Sequence, residues 1–234
     1  YLYTGNGSTQ TITNGIDLAG KGGLVWTKAR NLADSSRLFD TSSNAILASD
    51  LANSKLNGSF SLVPTYVTFN SNGFYTPNDY GGWNTNGTTY ASWTFRKAAK
   101  FFDVVTYTGN GVAGRQIPHN LGVEPGVVIV KAVSNNANWY IWHSVLASSR
   151  YFNFTSDAVG LDTSIWNDTY PSSTSVTLGS HPNVNGNGTT FVMYVFANDI
   201  SVDSVVKTGS FNHTAGDVSI NLGFEPQFVL YRPT

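Results

Sequence analysis

Tyr3-Thr4-Gly5-Asn6-Gly7 returns letter for letter as Tyr107-Thr108-Gly109-Asn110-Gly111. Working outward, Asp17-Leu18 followed by Leu24-Val25-Trp26-Thr27-Lys28 is answered by Asn120-Leu121 and Val127-Val128-Ile129-Val130-Lys131. The later stretch Asn86-Gly87-Thr88-Thr89-Tyr90 through Phe95 is answered by Asn187-Gly188-Thr189-Thr190-Phe191 through Phe196. A third set begins with Asn221-Leu222-Gly223-Phe224-Glu225-Pro226 and runs to Val229-Leu230-Tyr231-Arg232. Several blocks recur in one order at a nearly constant spacing, which predicts an internal repeat of about 100 residues. The units are expected over residues 1–103 and 104–204, with 205–234 the start of a third that stops partway, as in a piece of a longer polypeptide. Val104-Val105 and Val205-Val206 run straight into the next unit without a Pro- or Ser-rich linker, so the units are expected to pack closely.

Within the second unit, Val104–Tyr107, Val127–Lys131, Trp139–His143, Tyr151–Phe154, Ser175–Leu178 and Phe191–Phe196 read as short strands. Between them lie Asn-Gly, Glu-Pro-Gly and Asn-Asp clusters, residues that tolerate positive φ or pre-set a turn. Short strands at this density predict an all-β chain of tandem antiparallel β-sandwich repeats, jelly-roll or immunoglobulin-like. Val127–Val130 lacks alternation, as a strand buried on both faces does. Asn44–Leu56, with Ile46, Leu47, Leu51 and Leu56, reads as a short helix or an irregular loop.

Composition supports the β reading. Hydrophobic residues make up 41% and aromatics 14%, while charged residues are only 12%, about half the usual share. The surface is therefore Asn, Ser, Thr and Gly, and the helix formers that would clothe exposed helices are scarce. A net charge of −1 with no basic stripe argues against nucleic-acid binding. The apolar runs are strand-sized and too short to insert as membrane helices. Cysteine is absent.

Reactive constellations are missing from the pattern, so no enzyme, metal or cofactor is expected. Gly15 through Gly20-Lys21-Gly22 resembles a phosphate loop, but Gly22 stands where Ser or Thr is needed and Leu24-Val25-Trp26 continues as a strand. His119, His143, His181 and His213 show no metal-ligand spacing, and the repeat places His143 opposite Asp40. Asp162 and Asp168 could be imagined as a glycosidase pair, against the simpler reading of Asp168 as a turn residue in Asn167-Asp168-Thr169.

The aromatics hold the remaining interest. Trp26, Trp93 and Tyr194 lie among apolar neighbours and read as core. Trp83 falls in the loop Gly81-Gly82-Trp83-Asn84. In Trp139-Tyr140-Ile141-Trp142, Trp139 and Ile141 face one side while Tyr140 and Trp142 face the other. Trp83, Trp139, Trp142 and Trp166 are therefore the candidate contacts, with core, subunit interface and glycan stacking as the open readings.

Trp166-Asn167-Asp168-Thr169-x-Pro171, then Val176-Thr177-Leu178-Gly179, then Asn185-Gly-Asn187-Gly188 and an aromatic strand, resembles a repeat domain of tail-associated proteins from marine and environmental phages. The Tyr-Thr-Gly-Asn-Gly opening and the Leu-Gly-x-x-Pro-x-x-Val-x-x-Lys segment belong to the same pattern. The resemblance implies a virion structural protein in a tail fibre or related appendage, acting in assembly and host attachment. Its partners would be other copies of itself, other virion proteins and a host surface glycan. The first unit departs from the pattern: Gly20-Lys21-Gly22-Gly23 replaces the Pro turn, and the Trp-Asn-Asp-Thr block is missing.

Overall fold

β-branched and aromatic runs between Gly- and Asn-rich turns produce, among the described residues, sixteen strands and two single-turn helices in a computed structural model. The structure describes residues 1–43, 45–53, 67–76, 82–201 and 203–232. In chain order the first half holds β1 (Leu2–Thr4), β2 (Gln10–Thr13), β3 (Gly23–Ala29), β4 (Arg37–Asp40), β5 (Ile46–Ala48), β6 (Thr68–Asn70), β7 (Gly73–Thr76) and β8 (Thr89–Arg96). The second half holds β9 (Phe102–Thr108), β10 (Arg115–Pro118), β11 (Pro125–Ala132), β12 (Tyr140–His143), β13 (Arg150–Asn153), β14 (Ser156–Leu161), α1 (Thr163–Trp166), β15 (Ser175–Leu178), α2 (Pro182–Asn185) and β16 (Thr190–Ala197). All strand pairings among these are antiparallel.

The strands form two large and two small sheets. The first large sheet has the order β1-β8-β3-β4-β5, and the second the order β14-β13-β12-β11-β16-β9. A three-stranded sheet, β2-β7-β6, accompanies the first, and the β10-β15 pair accompanies the second. Three apolar cores separate these layers. One joins β2 and β7 to the first large sheet through Ile12, Phe74, Val25, Phe39 and Tyr90. One joins the second large sheet to β15 and the helices through Val128, Trp142, Val176, Ile165 and Phe191. The central core lies between the large sheets, where Leu24, Trp26, Leu38 and Phe95 meet Phe102, Ile129, Trp139, Ile141 and Tyr194.

Both large sheets are thus covered on both faces, which is why β3 and β11 read as unbroken apolar runs. The alternation in Trp139–Trp142 sorts as expected. Trp139 and Ile141 enter the central core, whereas Tyr140 and Trp142 face the outer one. All six strand segments expected in the second half fall on strands, and β10, β14 and both helices are additional.

One expectation changes. Ile46–Ala48 is neither helix nor irregular loop: it forms β5, fully buried against β4, because its neighbours offer an unfilled sheet edge and an apolar layer on each side. Leu51 follows it outside any element, and Leu56 lies outside the described residues. Residues 205–232, expected to begin a third unit, form no strand in the described part. They run along the surface, with Phe228 seated against Trp26, Trp93 and Phe95.

Candidate functional site

Each half begins with a clamp around a buried asparagine. Tyr107 donates from its hydroxyl to the Val184 carbonyl at 2.6 Å, and the Asn110 amide donates to Asn185 Oδ1 at 3.0 Å. Asn185 Nδ2 donates to the carbonyls of Val112 (2.9 Å) and Gly179 (2.7 Å). In the first half, Tyr3 donates to the Trp83 carbonyl at 2.7 Å, and the Asn6 amide to Asn84 Oδ1 at 3.1 Å. Tyr3 stacks on Tyr90 and Tyr107 stacks on Phe191, each pair inclined by 16°. Gly5 and Gly109 leave no room for a side chain, because a Cβ at either would lie 2.3 or 2.2 Å from a carbonyl oxygen of the facing turn. Asn84 and Asn185 were not singled out in the sequence. The signal was there, since Asn84-x-Asn86-Gly87 and Asn185-x-Asn187-Gly188 extend the recurring block two residues earlier.

A second polar cluster bridges the two large sheets. Asp40 is fully buried, and its carboxylate accepts from the amides of Ser42 and Ser43, from Ser43 Oγ (2.6 Å) and from the Tyr194 hydroxyl at 2.9 Å. Burial pushes the Asp40 carboxyl above its ordinary range and, with Asp40 beside it, the Tyr194 phenol well above its own. With no solvent-facing side, this carboxylate serves as a cross-link between the halves. Beside it Trp139 Nε1 donates across the same contact to the carbonyls of Ala48 (3.0 Å) and Leu51 (3.1 Å).

Lys131 is also fully buried, its ammonium donating to the carbonyls of Ala132 (3.0 Å) and Ala52 (3.3 Å) and lying 5.9 Å from the Trp139 ring centre. Desolvation lowers its pKa to about 8. The unfolded chain, with an ordinary lysine near 10.4, therefore holds the proton more tightly, and stability rises with pH between about 8 and 10.4. Lys131→Met is expected to stabilise the chain by about 1–3 kcal/mol at pH 7. That gain should shrink towards pH 10, as urea midpoints at pH 7, 9 and 10 would show.

The third cluster lies on the block found only in the second half. Asp162 caps α1, accepting from the Ser164 amide (2.8 Å) and hydroxyl (2.6 Å), and these bonds hold its carboxyl below the usual range. His181 caps α2 through Nδ1 (3.2 Å from the Asn183 amide), and its Nε2 faces Asp162 at 4.0 Å. Tyr140 packs against both His181 and Tyr151. At the far end of α1, Asn167 and Asp168 both adopt left-handed backbone (φ 53° and 46°), and Asp168 accepts from Ser148 Oγ at 2.7 Å. Asp162 and Asp168 therefore occupy opposite ends of one helical turn, each engaged in its own structural bond. His119, His143 and His181 all accept, through Nδ1, the amide two residues on, which places the proton on Nε2 and assigns each to a local turn. Burial holds all three below the ordinary histidine pKa.

Of the three open readings for the four tryptophans, burial favours the core. Trp83, Trp139, Trp142 and Trp166 are 3%, 0%, 4% and 1% exposed, so none offers an open ring face. Trp83 leaves its loop to pack on Phe39 in the first core, and Trp166 and Trp142 fill the outer core of the second half. Only Trp139 is an interface residue, and the interface lies within the chain. The phosphate-loop lookalike is a turn: the Gly20 amide donates to Asp17 and the Gly22 amide to Leu18. Among the described residues no group of three or more His, Cys, Asp or Glu is placed to hold a metal ion.

The arrangement defines an all-β protein whose polar clusters are occupied in joining its own layers. Residues 1–234 match a family described as a domain of unknown function (DUF7483), and the chain belongs to that family. No curated protein and no solved structure matches it.

Proposed function

We propose that the chain is a non-enzymatic structural component of a phage virion, in a tail fibre or related appendage, built from tandem β-sandwich units of about 100 residues. The observation that best supports the proposal is the matching strand order of the two halves. The order β1-β8-β3-β4-β5 corresponds strand by strand to β9-β16-β11-β12-β13, and the β2-β7 pair to β10-β15. The asparagine clamp recurs with the same tyrosine-to-carbonyl and amide-to-Oδ1 bonds in both halves. What recurs is turns and core. What differs between the halves is Asp40 against His143, the Lys21 turn, and the Trp166 block.

Sequence-equivalent faces of the two units also meet. Leu24, Trp26, Leu38 and Phe95 line one side of the central core, while their counterparts Val127, Ile129, Ile141 and Phe196 line the other. A duplicated fold that packs on itself through equivalent faces suits a lateral, assembling role, because such contacts are self-complementary. The low-charge Asn-, Ser- and Thr-rich surface suits close packing among virion proteins, and attachment to a host surface would be made from such an appendage.

Electron cryomicroscopy of purified particles, with gold-labelled antibody against the chain, tests the reading. Density and label on the tail or its fibres are expected. Particles that lack the chain, or a chain that cleaves host polysaccharide, would overturn it.

A further inference from the structure

The side chains that cap α1 and α2 each leave one polar atom unspent. Asp162 uses Oδ1 on the Ser164 amide and hydroxyl, while its Oδ2 holds no hydrogen bond among the described residues. His181 accepts the Asn183 amide through Nδ1, and burial keeps its pKa below the ordinary value. At pH 7 the ring is therefore neutral and carries its one proton on Nε2. That Nε2 faces Asp162 Oδ2 across 4.0 Å. A donor and an acceptor thus stand side by side, too far apart to bond to each other. Solvent reaches both, since the Asp162 side chain is 35% exposed and that of His181 21%.

Tyrosines frame this gap. β13 pairs with β14 so that Tyr151 opposes Gly160, and its ring takes the space above that glycine. A Cβ on Gly160 would lie 2.1 Å from Tyr151 Cζ and 2.6 Å from the hydroxyl. Gly160 precedes Asp162 by two residues, and the Tyr151 hydroxyl also holds no hydrogen bond among the described residues. The half-buried Tyr151 ring packs on Tyr140 at 5.1 Å, and Tyr140 packs in turn on His181 at 5.2 Å. Asn183 Nδ2 donates to the Tyr140 hydroxyl at 3.3 Å, which ties the rings to α2.

The pair selects its ligand by chemistry. A group that fills the gap must accept from Nε2–H and donate to Oδ2 at once, each at about 2.8 Å. A hydroxyl does both. A phosphate or carboxylate has no proton to give and meets the Asp162 charge, while an ammonium has no lone pair for the imidazole. The Tyr151 hydroxyl offers a further contact, and the tyrosine rings offer apolar surface to the carbons between. We propose that Asp162, His181 and Tyr151 form a binding site for a neutral sugar, one hydroxyl of which bridges Asp162 Oδ2 and His181 Nε2 while a neighbouring one meets Tyr151. The pair flanks the Trp166 block, which the first unit lacks, so a difference between the units carries the site and the shared scaffold does not. The source of the sugar, a host surface glycan, rests on the function proposed above; the site itself rests on the geometry.

The test applies the fluorescently labelled full chain to an array of neutral oligosaccharides, their uronic-acid and phosphorylated counterparts, and bacterial surface polysaccharides. Binding to neutral sugars is expected. The dissociation constant of the best-bound one, measured by titration calorimetry, should rise about tenfold or more in Asp162→Asn and roughly threefold in Tyr151→Phe. Asn caps a helix as well as Asp does, so Asp162→Asn keeps α1 and loses only the acceptor that the hydroxyl needs. Tyr151→Phe deletes a hydroxyl without a partner among the described residues, and it decides the matter if Asp162→Asn misfolds by near-ultraviolet circular dichroism. No binding to any neutral sugar, equal binding of the acidic counterparts, or an affinity unchanged in both variants would overturn the site and leave a bridging water as its occupant. Binding that extends to bacterial surface polysaccharides supports the host source, and binding confined to the other oligosaccharides overturns that source alone. Sugar binding by a chain that microscopy finds absent from particles would sink the proposed function and keep the site. A chain on the tail that binds no neutral sugar would sink the site alone.

Discussion

Asn185→Leu is expected to cost roughly 2–4 kcal/mol, because it removes the partners of two carbonyls and one amide and leaves the buried Gly179 carbonyl without a donor. The side chain is fully buried, and Leu has as many side-chain heavy atoms but a larger volume, so overpacking adds to the loss of hydrogen bonding. The groups that lose their partner are the carbonyls of Val112 and Gly179 and the amide of Asn110; Gly179 is buried, whereas Asn110 and Val112 are exposed and their groups can turn to water. A domain of this kind has a total stability of about 5–15 kcal/mol, so the variant loses a large share of it. Urea unfolding followed by circular dichroism measures the loss. A shift below about 1 kcal/mol would mean that water replaces the side chain. Asn185→Asp separates the causes further. It keeps the shape but sets a carboxylate against two carbonyl oxygens, so its folded-state pKa is raised. A raised carboxyl pKa gives stability that is present at acid pH and lost as pH rises, and Asn185→Asp should therefore recover towards wild type on acidification.

Trp139→Ala should cost about 3–5 kcal/mol and also change how the chain unfolds. Trp139 is among the largest fully buried side chains and stands in the central core. It packs edge-on to Phe154 at 5.5 Å and bonds to two carbonyls of the opposite half, from Ala48 and Leu51. Its removal empties the contact between the large sheets while leaving the two outer cores intact. The expected result is two denaturation steps in place of one, the halves losing their mutual support before their own folds. Exchange at β3 and β11 reports each half separately. A single transition, displaced but still cooperative, would show that Asp40–Tyr194 and the remaining apolar surface suffice to couple them. Trp139→Phe, which retains much of the packing but deletes the N–H, should lie between the two at about 1–3 kcal/mol.

Several features could be read from the chain alone, for local reasons. Gly- and Asn-rich turns punctuate short β-branched and aromatic runs, and turn chemistry depends on residues within a few positions of one another. The alternation in Trp139–Trp142 assigned its two faces correctly because side-chain direction in a strand has a period of two. The apolar run Val127–Val130 announced a layer on both sides. Recurrence of the clamp residues at Tyr3, Gly5, Tyr107 and Gly109 pointed to a shared local structure, though the buried asparagines they enclose went unread.

What tertiary structure alone decided concerns which residues are covered, and by what. A tryptophan in a Gly-rich loop looks the same whether it stands in solvent or turns inward. Trp83 turns inward because Phe39 offers it a face, some 40 residues distant in sequence. Ile46–Ala48 became a strand because an edge of the first large sheet was open beside it, which no local propensity records. Residues 205–232 show the converse, where stretches similar in sequence to β9 and β11 form no strand. Local pattern therefore determined the strands and turns of this protein. Its layers, its buried Asp40–Tyr194 and Lys131 contacts and the fate of its tryptophans were decided by long-range packing, because burial belongs to a pair of surfaces and a sequence shows only one of them at a time.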